Sequence, residues 1–178
     1  MTNPFFTIGH STRPLGTFMD LLKGAEIRLV VDVRAFPRSR GNPQYNCDAL
    51  TASLSTSKIA YEHIAALGGL RSKQRGVPSA TNAFWQNERF HNYADYAMGK
   101  DFQFGLTQLR QLGRAARPAI MCAEILWWQC HRRIITDYLI AAGETVFHIL
   151  GSGKVAQASI TSVAKLGASG ALVYPIEA

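Results

Sequence analysis

The sequence predicts an α/β fold, in which a mainly parallel sheet has helices packed on both faces. Three short apolar runs, at 5–8, 27–33 and 118–123, have the aliphatic and β-branched composition of buried strands. A segment with helical spacing of its apolar residues follows each run further along the chain. Strands that alternate with helices pair in parallel, because each helix returns the chain to the end of the sheet where the previous strand began.

The predicted elements alternate along the whole chain, with turn-forming residues between them. In the first half we expect a strand at 5–8, a helix at 14–24, a strand at 27–33, a helix from about Asp48 and a strand at 59–63. In the second half we expect a helical, aromatic-rich stretch at 80–98, a helix capped by Asp101, a strand at 118–123, a helix closed by Gly143 and a strand at 145–150. The tail is predicted to form a helix around 157–166 and a strand at 171–174.

Length and composition fit one globular domain over residues 1–178. A chain of this size buries a core without disulfides, and 47% hydrophobic with 17% charged residues excludes disorder. The 3 cysteines have no framework spacing, which predicts free thiols in a reducing compartment. No secretory signal is recognisable, and no apolar run approaches the ~20 residues that span a bilayer. We therefore expect a cytoplasmic protein without a membrane partner, and its oligomeric state stays open, a homodimer included.

The charge distribution predicts an anion-binding site. A net charge of +7 and a pI of about 9.6 favour an anionic small molecule, a nucleotide or a nucleic acid as partner. The total charge would equally fit a solvated surface. However, basic residues gather beside three predicted strand-to-helix loops, and the segments 34–43 and 68–76 contain no acidic residue. This clustering favours the anion site.

The segment 118–139 combines most of the reactive side chains of the chain. They are Cys122, Glu124, Cys130, His131 and Arg132. A buried strand leads here into a loop and then a helix, so these groups should lie at the carboxyl edge of the sheet, where open α/β folds bind ligands. The N-terminus of the helix also favours anions and thiolates.

The other strand ends bring further polar residues to the same edge, so that a composite site is predicted there. Its members are His10, Ser11, Asp32, Arg34, Glu124, Cys130, His131 and Arg132. A thiol, imidazoles, carboxylates and guanidinium groups suffice for nucleophilic or general acid–base chemistry. We predict Cys130 as the nucleophile, His131 or His10 as the acid–base group, and Glu124 as a further catalytic candidate.

Arginines are the predicted anchors of the anion, because a guanidinium fork binds two oxygens at once. The predicted anion-binding residues are Ser11, Asp32, Arg34, Ser39, Arg71 and Arg132. Alternatively, the arginines pair with carboxylates to hold loops in place, and the two roles are compatible. At the end of a strand, Asp32 is expected to orient an arginine.

Other roles for the same residues remain open at this stage. Cys130 could be a buried thiol packed against the neighbouring tryptophans, and Cys122 is predicted to pack in the core unless its side chain faces the cleft. A further hypothesis is zinc held by Cys122, Cys130, His131 and His10. An adjacent Cys-His pair rarely turns both side chains onto one metal, and the chain has no C-x-x-C motif, so no metal is predicted.

No motif for a cofactor is recognisable, and none is expected. The chain lacks G-x-G-x-x-G, and the run Gly151–Lys154 is not a P-loop, since the required glycine is missing and no Ser or Thr follows the lysine. Two non-enzymatic functions stay as alternatives to the enzyme. One is a nucleic-acid-binding module that uses the basic loops, and the other is a metal-binding protein.

Six separated motifs also carry a family resemblance. They are Thr7-Ile8-Gly9-His10-Ser11, Asp32-Val33-Arg34 with Pro37 and Ser39, Leu67-Gly68-Gly69 with Arg71, Tyr93-Ala94-Asp95-Tyr96, Met121-Cys122-Ala123-Glu124, and Cys130-His131-Arg132. In this order, over roughly residues 5–150, the chain resembles the family called domain of unknown function 488. The resemblance implies a Rossmann-like three-layer α/β/α fold and a motif-bearing cleft, without a settled activity. The loop 125–128 departs from the family pattern of acidic and proline residues, and 151–178 extends beyond the family-like core.

Overall fold

A six-stranded sheet lies at the centre of the structure, a computed structural model that describes residues 2–176. In chain order its strands are β1 (Phe5–Gly9), β2 (Leu29–Asp32), β3 (Ala60–His63), β4 (Pro118–Cys122), β5 (Val146–Ile149) and β6 (Val155–Gln157). Their spatial order is β3-β2-β4-β1-β5-β6, with β6 antiparallel to β5 and all other neighbours parallel. The predicted α/β class with a mainly parallel sheet is therefore confirmed, and the arrangement is Rossmann-like.

Helices cover both faces of this sheet and complete the three layers. They are α1 (Leu15–Gly24), α2 (Cys47–Ser55), α3 (Glu88–Ala97), α4 (Lys100–Ala115) and α5 (Arg132–Ala141). Apolar side chains of α1 and α2 share one buried cluster, and those of α3, α4 and α5 share another. The sheet separates the two clusters.

Successive residues of the central strands supply the two clusters alternately, because side chains of a strand point to opposite faces. In β1, Phe5 packs with α4 and α5, while Phe6 packs with α1. In β2, Val31 likewise belongs to the cluster of α4 and α5, and Val30 to the cluster of α1. Every residue of β1, β2 and β4 is buried, which explains the continuous apolar runs from which these strands were predicted.

The carboxyl ends of β1, β2 and β4 meet at one edge and remain hydrogen-bonded just beyond the strands. The backbone N–H groups of His10 and Ser11 donate to the carbonyls of Cys122 and Ala123, at 2.9 Å each. The chain after β4 then passes directly over Gly9, where a Cβ atom would lie 2.1 Å from the carbonyl oxygen of Glu124. Only glycine allows this approach. The motifs that follow the strands are thereby brought together.

Two predicted helix boundaries were wrong for local reasons. Helix α4 begins at Lys100 with Gly99 as N-cap, so Asp101 does not cap it but lies in its first turn, where a carboxylate still favours the helix dipole. The helical stretch predicted at 80–98 is helical only from Glu88, because the side chain of Asn87 accepts the N–H of Arg89 and starts α3 there.

The helix predicted around 157–166 was also wrong. The segment instead connects β6 to a hairpin of two short strands, β7 (Lys165–Leu166) and β8 (Leu172–Val173). Strand β8 confirms the strand predicted at 171–174. Serine and β-branched residues, which are weak helix formers, make up half of the segment. The buried carboxylate of Asp137 on α5 decides the conformation, since it accepts the N–H of Thr161 at 2.8 Å and the hydroxyl of Tyr174 at 2.9 Å. The tail is thereby packed against α5.

Across residues 2–176, no helix has the length and apolar character needed to cross a membrane.

Replacing Gly113 by alanine should lower the free energy of unfolding by about 1–3 kcal/mol, the usual cost of overpacking a core. A Cβ atom at this position of α4 would lie 2.3 Å from Cζ of the buried Phe5 ring. In the matched control Gly16→Ala in α1, nothing lies within 4 Å of the added Cβ, and the helix should gain about 0.5–1 kcal/mol. Urea denaturation measures both variants, and effects of the same sign would contradict this packing.

Candidate functional site

A cleft of about 770 Å³ opens at the carboxyl edge of the sheet, where the composite site was predicted. Its volume is within the range of small-molecule pockets. Its lining residues are Arg34, Ala35, Phe36, Arg38, Gly69, Leu70, Asn87, Arg89, Phe90, Cys122, Ala123, Glu124, Trp128, Gln129, Cys130 and His131. The cleft therefore contains the predicted nucleophile, its predicted acid–base partner and Glu124.

Cys130 lies on the floor of the cleft, between the 3₁₀ turn Trp127–Gln129 and the start of α5. Its side chain is 4% exposed, and its Sγ accepts a hydrogen bond from Nε of Arg132 at 3.2 Å. Nδ1 of His131 lies 3.6 Å from the same sulfur. A cation and an imidazole thus both contact this thiol, as the sequence predicted for neighbours in the chain.

The ring of His131 is held in one orientation. Its Nε2 lies 2.8 Å from the carbonyl oxygen of Val33, which can only accept, so Nε2 carries a proton and donates it. In the neutral ring Nδ1 is then the acceptor that faces Cys130. The ring also lies directly against Gly69, where a Cβ atom would be 2.5 Å from Nδ1. The glycine pair of the third motif therefore makes room for the imidazole.

Arg132 is a buried cation with an unusual set of partners. The residue is 1% exposed, and its guanidinium donates to the sulfur of Cys130 and to the backbone carbonyl of Glu124. Within residues 2–176 no carboxylate lies in salt-bridge distance of it. A buried guanidinium needs a counter-charge. The sulfur of Cys130 is the group placed to supply it as a thiolate.

The second thiol, Cys122, also faces the cleft. It was predicted to pack in the core unless its side chain faced the cleft, and it does both: it belongs to the buried cluster of α5 and also lines the cleft. Its Sγ, the Sγ of Cys130 and a ring nitrogen of His131 lie within 4.8 Å of one another. We call these three residues the thiol cluster. The alternation of side chains along a strand explains this position, because Cys122 lies on the same face of β4 as Ile120, towards α5 and Cys130.

The pKa values of the two thiols are shifted in opposite directions. Burial by itself raises the pKa of Cys130, but the hydrogen bond from Cys122 and the charges of His131 and Arg132 outweigh it and hold this pKa well below its usual value. The hydrogen bond to Cys130, and then burial, raise the pKa of Cys122 far above its usual range. Of the two thiols, Cys130 is therefore the more acidic.

A buried network around Asp32, the Asp32 network, forms the wall behind the cleft. The carboxylate of Asp32 accepts two guanidinium N–H groups of Arg34, at 2.9 and 2.7 Å, and the hydroxyl of Tyr61 at 2.6 Å. Arg34 also donates to the carbonyl of Tyr45 at 2.8 Å. These contacts use most of its N–H donors. Asp32 and Arg34 thus hold the strand end and its loop, which is the alternative role predicted for the arginines and their carboxylate partners. Asp32 does not line the cleft.

His10, a predicted acid–base group, belongs to the Asp32 network and not to the cleft lining. Nη1 of Arg34 donates to its Nε2 at 3.2 Å, so Nδ1 carries the proton that it donates to the carbonyl of Ser11 at 2.9 Å. Its ring stacks on Tyr45. Burial lowers the pKa of His10 to about 4, with the hydrogen bond to Ser11 opposing. His10 is therefore a neutral group that positions Arg34.

Four other predicted site residues lie outside the cleft lining, the buried Arg132 described above and Ser11, Ser39 and Arg71. Ser11 has a positive φ of 43° and uses its backbone to hold the strand ends together. Ser39 accepts the N–H of Asn42 and donates its own N–H to Asn46, so it stabilises its loop. The guanidinium of Arg71 donates to the carbonyls of Gly68 and Ala65. Its charge also lies over the ring of Tyr96.

Glu124 lines the cleft with a partly satisfied carboxylate. Its Oε1 accepts the N–H of Leu126 at 3.1 Å, while its backbone carbonyl accepts from Arg132. In the loop that follows, Trp127 stacks on the buried His148, with ring centroids 4.1 Å apart, and Trp128 turns towards the cleft. The loop that departs from the family pattern is thus anchored by one tryptophan and contributes the other to the site.

Two cations of the cleft had little signal in the sequence. Arg38 and Arg89 are exposed and line the cleft, beside the exposed Phe36. Arg38 was part of the basic clustering but was not chosen as a site residue, and Arg89 was not singled out. The N-cap Asn87, which places Arg89 in the first turn of α3, is a local signal that could have indicated its position.

A protein-family model described as "Domain of unknown function DUF488" matches residues 14–139, more than half of the chain. Comparison with curated proteins and with solved structures gave no significant match.

Stability should fall on acidification because His10 is buried in its neutral form. Between pH 6.5 and about 4 the unfolded chain binds a proton at this residue that the folded chain does not bind. The stability present above pH 6.5 is thus lost across this window, by roughly 3 kcal/mol at its lower end. Urea denaturation at pH 7 and pH 4 should show a smaller pH effect in His10→Gln than in the wild type. An unchanged pH effect would contradict this protonation state.

Proposed function

The chain belongs to the DUF488 family, and we propose that it is an enzyme in which the Cys130 thiolate attacks an anionic substrate bound in the cleft. The proposed substrate class is a nucleotide or a nucleic-acid component. His131 is the proposed acid–base group. Arg132 is proposed to stabilise the thiolate, not to bind the substrate.

The observation that carries the proposal is the buried guanidinium of Arg132 against the sulfur of Cys130. The thiolate is the nucleophilic form of cysteine, and an adjacent cation lowers the free energy of this form. A purely structural thiol would need no cation beside it. Since the sulfur also lines an open cleft, a bound molecule could reach it.

His131 supplies the proton chemistry that a thiolate nucleophile requires. Its Nε2 is committed to the carbonyl of Val33, so Nδ1 is the nitrogen that takes up the thiol proton of Cys130. The imidazolium then holds this proton beside the sulfur. A nucleophile, a base and a group that orients the base form the arrangement used by cysteine-dependent transferases and hydrolases.

The cleft supports an anionic substrate with a planar group. Arg38 and Arg89 present exposed guanidinium groups, which bind phosphate oxygens in pairs. Phe36 and Trp128 are 72% and 45% exposed, and aromatic rings of this kind stack on nucleobases. These two features together favour a nucleotide over a simple inorganic anion.

The proposed reaction proceeds through a covalent adduct. The sulfur of Cys130 bonds to an electrophilic atom of the substrate, and the bond from that atom to the leaving group breaks with its electron pair. His131 gives its Nδ1 proton to the leaving group. Water then attacks the adduct, returns a proton to the same nitrogen and expels the thiolate.

Alkylation by iodoacetamide should reveal the thiolate of Cys130. The pH midpoint of its modification should lie below the value of about 8.5 typical of a free thiol. Cys47 is the internal control, because its hydrogen bond with Asp48 raises its pKa, and its midpoint should lie higher. Arg132→Gln should move the midpoint of Cys130 upwards. Site-resolved mass spectrometry gives both midpoints, and an ordinary midpoint at Cys130 would reject the thiolate.

The same assay tests the substrate class. Nucleoside monophosphates or short oligonucleotides should slow alkylation of Cys130 but not of Cys47, and the double variant Arg38→Gln/Arg89→Gln should lose this protection. Added salt should weaken it, since the anchoring contacts are ionic. Protection by none of these compounds would reject the nucleotide and leave the thiolate untouched.

A zinc site on the thiol cluster is the second candidate function. Contrary to the expectation for an adjacent Cys-His pair, Cys130 and His131 turn towards one point, together with Cys122. The hydrogen bond from Nε2 of His131 to a carbonyl is also the usual orienting contact of a ligating histidine. Three protein ligands with a fourth position open to a cleft are typical of catalytic zinc.

The zinc hypothesis predicts stoichiometric binding. After addition of zinc and dialysis, the wild type and Cys47→Ser should each retain one equivalent, while Cys122→Ser should lose it, because the cluster would then offer only two of its ligands. Elemental analysis of the purified protein measures the metal. Equal, substoichiometric zinc in all three proteins would exclude this function.

A further inference from the structure

We infer that Cys122 and Cys130 form a redox pair, in which a hydroperoxide oxidises Cys130 and Cys122 converts the product into an intramolecular disulfide. The inference goes beyond the proposed catalysis, because it requires no anionic substrate. It rests on the placement of two thiols at one point of the cleft. Cys47 lies in α2, outside the cleft lining, and takes no part.

The geometry lets the two sulfur atoms meet. They lie within 4.8 Å of each other, and a disulfide requires about 2.05 Å. Cys122 ends β4, where its carbonyl accepts the N–H of His10, so its backbone is fixed. Cys130 lies between a 3₁₀ turn and α5, with φ −121° and ψ 149°. Cys130 belongs to no helix or strand, so the small approach that a disulfide needs can come from its side chain and the turn before it.

Both sulfurs are also within reach of a small oxidant. The two residues line the same cleft, although they are only 9% and 4% exposed. A hydroperoxide is small enough to enter a cleft of about 770 Å³.

The chemistry needs one hydroperoxide for each disulfide. The sulfur of Cys130 bonds to the terminal oxygen of the hydroperoxide, the O–O bond breaks, and the alcohol leaves with the thiol proton. The product is a sulfenic acid. Cys122 then attacks this sulfur, the S–O bond breaks, and hydroxide departs as water with the proton of Cys122. Two thiols are thereby oxidised by two electrons, and an added dithiol reverses the change.

The disulfide has an unusual consequence for stability. It draws the sulfur of Cys130 away from Arg132, whose guanidinium then stays buried without a counter-charge. Disulfides normally stabilise a fold by restricting the unfolded chain, but the loop closed here is short. The oxidised protein should therefore have a lower Tm than the reduced protein.

Treatment of the reduced full-length protein with hydrogen peroxide tests the inference. A chelator is present throughout, since zinc on the same thiols would block oxidation. Peptide mapping should find a Cys122–Cys130 disulfide in the wild type and in the matched control Cys47→Ser, and dithiothreitol should remove it. In Cys122→Ser and Cys122→Ala, dimedone should instead trap a sulfenic acid at Cys130. The oxidised wild type should melt at a lower temperature, and dithiothreitol should restore its Tm.

Several results would overturn the redox pair. They are a disulfide that includes Cys47, a disulfide between two molecules, a sulfenic acid at Cys130 that persists beside a free Cys122, and resistance of both thiols to the peroxide. Persistence of the sulfenic acid removes only the role of Cys122, because Cys130 has then still reacted as a nucleophile. Failure of the proposed catalysis is seen separately, in the alkylation midpoint of Cys130, which involves no oxidant.

Discussion

The buried charge of Arg132 is the constraint on which the candidate site depends. Its guanidinium is enclosed under the cleft, joins the start of α5 to the loop after β4 through the carbonyl of Glu124, and contacts the sulfur of Cys130. A charge in this position is tolerated only if an anion balances it. A thiolate satisfies this need without a carboxylate. In the proposed mechanism, the interaction that holds the loop in place is also the one that makes the sulfur reactive.

Arg34, the other buried arginine, has a carboxylate as its counter-charge, as expected of an arginine with a structural role. Arg34 is balanced by the fully buried carboxylate of Asp32, and tyrosine and histidine side chains complete the hydrogen bonds on both sides. This pair locks the end of β2 and the loop behind the cleft. Because Arg34 is neutralised inside the protein, the charges left for a ligand are the exposed ones of Arg38 and Arg89. In the proposed site, the neutralised Arg34 supports the cleft and the exposed Arg38 and Arg89 bind the substrate.

The proposed nucleophile, zinc site and redox pair all rest on one geometry. The ligand atoms of Cys122, Cys130 and His131 converge because β4 ends beside the start of α5, and Gly69 leaves room for the imidazole. The three states exclude one another, since a metal or a disulfide would occupy the sulfur that attacks the substrate. The state of the cluster would then decide whether the cleft is reactive.

The sequence by itself determined the order of strands and helices up to β5 and the edge at which the motifs meet. Apolar runs such as 27–33 and 118–123 report burial on both faces, and parallel pairing brings their carboxyl ends together whatever the details of packing. It did not determine which arginine faces the ligand, that Cys122 faces the cleft, that His10 lies behind Arg34, or that 157–166 is not a helix. These features depend on contacts between residues distant in the chain, such as Asp137 with Thr161 and Tyr174. Only the tertiary structure decides them, because the position of a buried charge or hydrogen bond is set by the partners that packing brings to it.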